Sequence, residues 1–419
     1  MDILVVGSGG REHAIVWALS KSPRVNRLYC APGNGGIASL AQCVDIAATD
    51  LDGMTAFARE TGVDLVFVAS DDPLALGMVD RMEEAGIRAF GPRAQAAALE
   101  SSKAFSKDLM KRYGIPTAAY AVFSQLEEAL SYVETHPLPL VVKADGLALG
   151  KGALIARTRD EARDAVRSML EGHAFGAAGA TVVIEEYMEG DELTVMVFTD
   201  GETVVPMPCA RDHKRAFDGD KGLNTGGMGA IVPGHRATEA ERKEWMDLII
   251  RPTVDAMRAE GRRFQGVLYC ELMLTPLGPR VIEFNARFGD PEAQAVLPLL
   301  RTDLVEIVEA VIDRRLNEIA VEWDSSESCC VVMASGGYPE KYQKGYEITG
   351  LDEVEALVFH AGTRRESDRI VTNGGRVLAV TALAEHLEDA IAAAYREVAK
   401  IHFRDRHFRT DIGHRSTGR

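Results

Sequence analysis

In the segment RVIEFNARFGDPEAQ, Glu283, Asn285 and Arg287 recur at every second residue. On a strand that spacing puts all three on one face. Two oxygen donors so placed suit Mg²⁺, which takes one or two protein ligands and fills its octahedron with phosphate oxygens and water. An arginine beside them suits a negative charge that grows during a reaction. A second segment, LVVKADGLALGKGALIA, sets Lys143 at the end of an apolar run, then a glycine-rich loop and Lys151. Mobile glycines let backbone N–H groups close over phosphates while lysines meet their oxygens as point charges. The pattern GxxxxGK[ST] does not match, so this is no Walker loop, and a flexible hairpin with solvated lysines would read the same way.

A third segment, RDHKRAFDGDKGLNTGGMGAIVPG, gathers Asp212, His213, Lys214 and Arg215 ahead of a polar glycine loop from Asn224 to Gly229. Such loops are costly in backbone entropy, which favours a functional use. No second histidine stands at ligand spacing, so His213 reads as a hydrogen-bonding member of the cluster and not as a metal ligand. The run VIEEYMEGDE, a strand entering acidic residues, is bland by itself. The chain opens on VVGSGGREHA, which suggests a dinucleotide fingerprint, but the third glycine of GxGxxG falls on Glu12. What remains is a glycine turn at a helix start, either an anion cradle or a plain strand-to-helix connection.

Positioning these groups needs a scaffold, and its outline is visible. Apolar runs at Ile3 to Val6, Arg27 to Cys30, Leu65 to Ala69 and Arg88 to Phe90 alternate with helical spacing at Arg11 to Lys21, Leu51 to Glu60 and Pro73 to Ala85. This predicts a small parallel α/β domain. After a seam at Gly91-Pro92 come a helix over Ser101 to Tyr113 and strands at Leu140 to Lys143, Ala153 to Ala156 and Val182 to Glu185. Capping boxes at Ser124 with Glu127, Thr158 with Glu161 and Thr238 with Glu241 mark three helix starts, the last helix running toward Glu260. A hairpin, Gly266 to Leu274 with Arg280 to Phe284, precedes helices between Pro291 and Leu316. A smaller α+β domain follows, with strands at Cys329 to Ala334, Glu355 to His360 and Arg376 to Thr381 and a helix over Leu387 to Lys400.

Composition narrows the partners. With 47 basic against 63 acidic residues, the net charge of −16 repels phosphate backbones and anionic membranes. No apolar run has the length of a membrane span. The first residues read as a strand and not as a leader, and six cysteines without CxxC or metal spacing read as free thiols. A cytoplasmic location is expected, with no nucleic acid or membrane partner.

Taken in order, GSGGREH, APGN, SKAFSK, GIPTA, KADGLALGKG, EEYMEGDE, DHKRAFDGDKGLNTGGMGA, EFNARFGDPE, FHAGT and TNGGRV resemble the ATP-grasp ligases, and within them the phosphoribosylamine-glycine ligase (glycinamide ribonucleotide synthetase) family. The resemblance implies an α/β and α+β multidomain chain: a Rossmann-like parallel α/β domain over 1–100, an ATP-grasp domain over 101–320 with a mobile lid near 118–190, and a C-terminal α+β domain over 321–419. It implies ATP held between two sheets, with Lys103 and Lys143 on the phosphates and a loop including Gly150, Lys151 and Gly152 closing over them. Glu185, Glu186 and the backbone around Met188 would meet the adenine, and Glu192 the ribose. Glu283 and Asn285 would hold Mg²⁺ or Mn²⁺, with catalytic roles for Arg287, Asp212 and Lys214. Gly9, Gly10, Arg11, Asp71, Asn224, Thr225, Gly226, Gly227 and Met228 would contact substrates. The implied reaction activates glycine as glycyl phosphate and joins it to 5-phosphoribosylamine, giving glycinamide ribonucleotide, ADP and phosphate in purine biosynthesis, in a monomer.

Four positions depart from the family pattern. Asp71 stands where the family carries a longer glutamate, so a longer or water-mediated contact with the ribose is expected. Leu149 adds bulk to the phosphate lid, and Leu223 loosens a turn. Glu271 places a carboxylate on a strand where other ATP-grasp enzymes carry a second metal ligand; it either joins that shell or points away. The competing readings are a ligase for another acid or amine, encouraged by Asp71, a nucleotide-binding protein without catalysis, and a dinucleotide oxidoreductase suggested only by the first fourteen residues.

Overall fold

The computed structural model describes residues 1–147, 152–171 and 179–414. Its first sheet is five-stranded and parallel, in the order Gln42–Cys43, Arg27–Pro32, Asp2–Gly7, Leu65–Val68 and Arg88–Phe90. The central strand is buried along its whole length, as a parallel sheet with helices on both faces requires. The helix expected over Pro73 to Ala85 is two helices, Asp71–Ala75 and Met78–Glu84. They part at Gly77, whose φ of +87° only glycine adopts easily.

The central region folds as two antiparallel sheets. One runs in the order Tyr120–Phe123, Val182–Glu186, Leu140–Ala144 and Ala153–Ala156, backed by the helices Leu126–Thr135 and Arg159–Leu170. The other is ordered Val204–Pro206, Asp191–Thr199, Gly266–Thr275 and Gly278–Asn285. The capping boxes at Thr158 and Thr238 form. That at Ser124 does not: the cap is Gln125 and the helix starts at Leu126, so Glu127 lies one position short of the third turn residue that a box needs. The helix from Thr238 is continuous to Ala259, yet one turn, Met246–Ile250, widens to π geometry. Pro252 has no N–H to give the preceding turn, and the wider turn absorbs the gap.

The last large sheet is ordered Arg211–Asp212, Gly229–Val232, Glu327–Ser335, Arg376–Ala384 and Leu357–His360, with Arg406–His407 also paired to Glu327–Ser335. Two of its strands therefore come from the middle of the chain and flank the glycine-rich segment. The helix Leu387–Val398 covers one face. Six cysteines are free thiols. Among the described residues no helix is long and apolar enough to cross a membrane.

Histidines stitch the first and last domains. The backbone N–H of His360 donates to Nδ1 of His13 at 2.7 Å, and both rings are buried. His213 is also buried, with Nδ1 3.3 Å from the Gly229 carbonyl. Burial holds all three neutral, lowering His13 to about 3 and His213 and His360 to about 4. An unfolded chain protonates them as the pH drops through about 6.5, whereas the folded chain resists until near the lowered values. The unfolded state then binds more protons and stability falls as acid is added. Each such proton contributes a slope of about 1.4 kcal/mol per pH unit, and three together approach about 4 near pH 5. Urea unfolding from pH 7 to pH 4.5 checks this: the midpoint is expected to drop steeply below pH 6, and a flat profile would refute it.

Candidate active site

Between the two central sheets lies a cleft of about 820 Å³, walled on one side by the parallel domain and on the other by loops of the last sheet. Its inner end is apolar: Ala118, Met188 and Met273 form a small buried cluster with Ile282 packed against it. Met188, Met273 and Ile282 of this cluster line the cleft as an apolar slot. Next to it the Glu185 carboxylate, wholly buried, receives Lys107 Nζ at 2.9 Å and Lys143 Nζ at 3.1 Å. Lys107 also donates to Thr117 Oγ1 at 2.8 Å. Burial depresses Lys107 to about 8 although Glu185 opposes the drop, while Lys143 is raised because Glu185 and Glu283 outweigh its burial. Glu186 also borders the cleft, its carboxylate accepting the Ala119 N–H and pairing with Arg280, both at 2.9 Å.

Lys103 begins the helix Lys103–Tyr113 and reaches the Gly146 carbonyl at 3.5 Å. The glycine-loop residues Gly150 and Lys151 lie outside the described residues. Gly152 borders the cleft, its carbonyl accepting the Ala144 N–H at 2.9 Å.

The floor is the pair Gly266–Thr275 and Gly278–Asn285. Glu271 opposes Glu283, and the register slips beside them so that Ile282 is an extra residue on its strand. Such a bulge re-aims side chains. Here Ile282 lines the apolar slot while Glu283 and Asn285 still line the polar floor. Burial alone would raise the pKa of Glu283, but Lys103, Lys143, Lys214 and Arg287 hold it below the usual carboxylate range. Among the described residues no group of three or more His, Cys, Asp or Glu forms a metal cage. A carboxylate and an amide oxygen on one face, charged and open to the cleft, are a donor set that suits Mg²⁺ completed by phosphate and water. Glu271 faces the same cleft and is ion-paired with Lys214, whose ammonium also lies 3.7 Å from Glu192. Burial pushes Glu271 up to about 7 against the pull of Lys214.

Arg287 is fixed at the junction with the parallel domain. Its Nη2 donates to Asn285 Oδ1 at 2.9 Å, pairs with Glu100 Oε1 at 2.7 Å and stands 3.8 Å from Asp71. Glu100, buried at the end of the helix Ala94–Ser101, also accepts the Ala286 N–H at 2.8 Å. Sequence reasoning missed Glu100, because no local pattern marks a carboxylate whose partners come 186 residues later. Glu100→Gln keeps the shape and removes the charge that holds the guanidinium. Turnover is expected to fall about tenfold with ATP affinity within about twofold; steady-state rates and a calorimetric titration check it, and unchanged turnover would refute it.

Asp212 and Lys214 stand together at the polar end. The carboxyl of Asp212 is made much less acidic than an ordinary aspartate, its pKa pushed up by burial and by Glu292. Glu292, buried, accepts Tyr269 Oη at 2.8 Å. Thr225 donates both its N–H and its hydroxyl to the Lys214 carbonyl at 2.8 Å, tying the glycine loop to the lysine. Asn224, Thr225 and Gly226 border the cleft. Met228 does not: its side chain is fully buried, and its N–H and carbonyl are used by His213 and Val332. Gly227 is likewise structural, with φ +106° and Asp212 and Pro291 packed where a side chain would sit. Arg376 of the last sheet clamps this loop, bonding the Gly226 carbonyl and pairing with Asp290 Oδ2 at 2.9 Å. Arg376 lies in the quoted motif TNGGRV and Lys107 in SKAFSK, so both signals were present without a role attached.

The opening turn differs from a free anion cradle. Gly9 N–H donates to Glu12 Oε2 at 2.6 Å, and Glu12 Oε1 takes Arg11 Nε at 2.6 Å. The chain's own carboxylate sits where a fingerprint would have glycine and an external phosphate. Gly7 has no room for a side chain, since a Cβ would lie 2.4 Å from Glu12 Cγ. Gly10 packs on Gln294. Arg11 and Asp71 reach the cleft; Arg11 stays charged despite burial because Glu12, Asp71 and Asp290 surround it.

Comparison with known proteins matches three family domains along the chain. The chain matches phosphoribosylglycinamide synthetase N domain over residues 1–100, its ATP-grasp (A) domain over 101–293 and its C domain over 328–415. It is 51% identical to a phosphoribosylamine-glycine ligase of Halalkalibacterium halodurans, covering 99% of this chain and 96% of that one. It is 47% identical to the trifunctional purine biosynthetic protein adenosine-3 of Gallus gallus, covering 99% of this chain and 42% of that protein. The crystal structure of phosphoribosylamine-glycine ligase from Thermotoga maritima superposes with a TM-score of 0.88 at 33% identity, covering 98% of this chain and 100% of that one. A biotin carboxylase domain of Hydrogenobacter thermophilus 2-oxoglutarate carboxylase shares the fold, with a TM-score of 0.76 at 17% identity over 97% of this chain and 91% of that one.

Proposed function

Given that the chain belongs to the phosphoribosylglycinamide synthetase family, and so is an ATP-dependent ligase of purine biosynthesis, we propose how its cleft divides the work of joining glycine to 5-phosphoribosylamine. Adenine enters the slot of Met188, Met273 and Ile282, with Glu185 and its two lysines beside it. Lys143 and Lys103 bind the phosphates. Glu283 and Asn285 would hold the divalent ion, Mg²⁺ or Mn²⁺, which when bound draws the phosphate oxygens together and offsets their charge.

The glycine carboxylate attacks the γ-phosphorus, giving glycyl phosphate and ADP. Arg287 offsets the charge that builds on the transferred group, and the lysines keep nucleophile and leaving group in line. The amine of phosphoribosylamine then attacks the acyl carbon, the amide forms and phosphate leaves. The amine must lose a proton in that step, and Asp212, made basic by burial beside Glu292, accepts it. Arg11 and Asp71 lie at the end of the cleft nearest the parallel domain and meet the ribosyl phosphate side.

The observation that carries this reading is the placement of Arg287 between Asn285 of the nucleotide floor and Asp71 and Glu100 of the parallel domain. One cation there serves the transferred phosphoryl group with the sugar substrate alongside. Action as a monomer is part of this reading, and six free thiols support a reducing cytoplasm. The test is ADP release measured with each substrate omitted in turn. Release is expected only with glycine and phosphoribosylamine together; equal release with alanine or serine in place of glycine, or with another amine, would overturn the assignment.

A further inference from the structure

Among the described residues, Arg215–Phe217 and Lys221–Asn224 form a two-stranded ribbon that joins no larger sheet. A hairpin of that size is marginal alone. Apolar packing does little for it, since Phe217 and Leu223 are both about half exposed. Yet its base carries Lys214 on one side and Asn224 and Thr225 on the other, three groups of the cleft.

What holds the ribbon is the end of the chain. Arg409 is the largest fully buried side chain among the described residues. Its Nη1 donates to the Arg215 carbonyl at 3.2 Å and to Asp220 Oδ1 at 2.9 Å. Its Nε and Nη2 grip both oxygens of Asp411 at 2.7 and 2.8 Å, and Asp411 Oδ2 in turn accepts the Gly219 N–H at 2.8 Å. On either side, His407 Nε2 lies 2.7 Å from the Ala216 carbonyl, Thr410 N–H donates to Asp218 Oδ1 at 2.8 Å, and Gly413 N–H meets His213 Nε2 at 3.2 Å. Tyr395 fixes the segment from behind, its hydroxyl donating to the Arg409 carbonyl at 2.8 Å and accepting the Ile412 N–H at 2.9 Å.

We infer that Arg409 is a positioning residue for the ligation reaction: through the terminal segment it holds the ribbon so that Lys214 and Thr225 keep their places in the cleft. Its fork meets a backbone carbonyl and two carboxylates at once, which a lysine ammonium cannot reproduce. Apart from an edge-to-face contact of His407 on Phe217, the strap meets the ribbon through hydrogen bonds, so the ribbon is placed by hydrogen-bond geometry and a small loss of geometry reaches the reacting groups. The ATP slot lies on other strands and is not held by it. This inference rests on the ligase reading for its readout.

Arg409→Lys tests it, beside the doubly substituted ribbon Asp218→Ala/Asp220→Ala, whose changes lie on an exposed turn and leave the core intact. Ligation is assayed well below the melting temperature, with ATP affinity measured by titration. Turnover is expected to fall about tenfold or more in both variants, with ATP affinity within about threefold of the parent. Parent-like turnover in both variants, or a parallel loss of turnover, ATP affinity and melting temperature in both, would overturn the inference. A parent protein that fails to release ADP when glycine and phosphoribosylamine are supplied together would instead overturn the ligase reading.

Discussion

Arg287→Ala lowers turnover by a factor on the order of 10² to 10³ and leaves ATP affinity within about threefold. The guanidinium is held by Asn285 and Glu100, with Asp71 near. In the resting site its charge is thus already balanced by Glu100, and nucleotide binding gains little from it. As the γ-phosphoryl group passes to the glycine carboxylate, charge grows on oxygens that face the floor, and the same cation then stabilises the transition state more than the ground state. Arg287→Lys restores only part of the rate, because one ammonium cannot meet Asn285, Glu100 and a phosphoryl oxygen together. Single-turnover rates with a calorimetric ATP titration decide it; a loss of ATP binding equal to the loss of rate would contradict the role.

Lys143→Ala has the opposite signature: ATP affinity weakens about thirtyfold to a hundredfold, with a smaller effect on the chemical step at saturating ATP. The ammonium is buried between Glu185 and, further off, Glu283. Its removal subtracts a phosphate donor and also leaves Glu185 with Lys107 alone, so negative charge faces the incoming triphosphate. Those two contributions separate in the double variant Lys143→Ala/Glu185→Gln, which is expected to recover part of the affinity. Equilibrium titration with ATP measures both, and an unchanged dissociation constant in Lys143→Ala would show that the lysine serves Glu185 and not the nucleotide.

The elements around the site were legible where the signal is local. Buried apolar runs at Asp2–Gly7 and Leu65–Val68 have the texture of parallel strands, and the alternation of Glu283, Asn285 and Arg287 reports one strand face. What the pattern hides is long-range. Asp212 and Gly229–Val232 belong to a sheet whose centre, Glu327–Ser335, is a hundred or so residues away, and pairing over that distance leaves no local mark. For the same reason Glu100 and Arg409 carry no motif, although each fixes a group of the cleft. Gly77 and Ser124 failed for a local reason, because helix starts and breaks are decided by single residues at the boundary. At the opening turn the sequence left an anion cradle and a plain connection open, and the folding of a side chain onto its own turn is what it does not show: Glu12, the residue that breaks the dinucleotide pattern, itself occupies the Gly9 N–H.

Transfer of oxygen from glycine to phosphate tests the central claim most directly. Glycine labelled with ¹⁸O in its carboxyl group is turned over with ATP and phosphoribosylamine, and the released inorganic phosphate is analysed by mass. A glycyl phosphate formed in this cleft donates one carboxyl oxygen to each phosphate, so one ¹⁸O per phosphate is predicted, with Arg287→Ala slowing labelled phosphate and product together. Stoichiometric formation of glycinamide ribonucleotide with unlabelled phosphate would contradict the account.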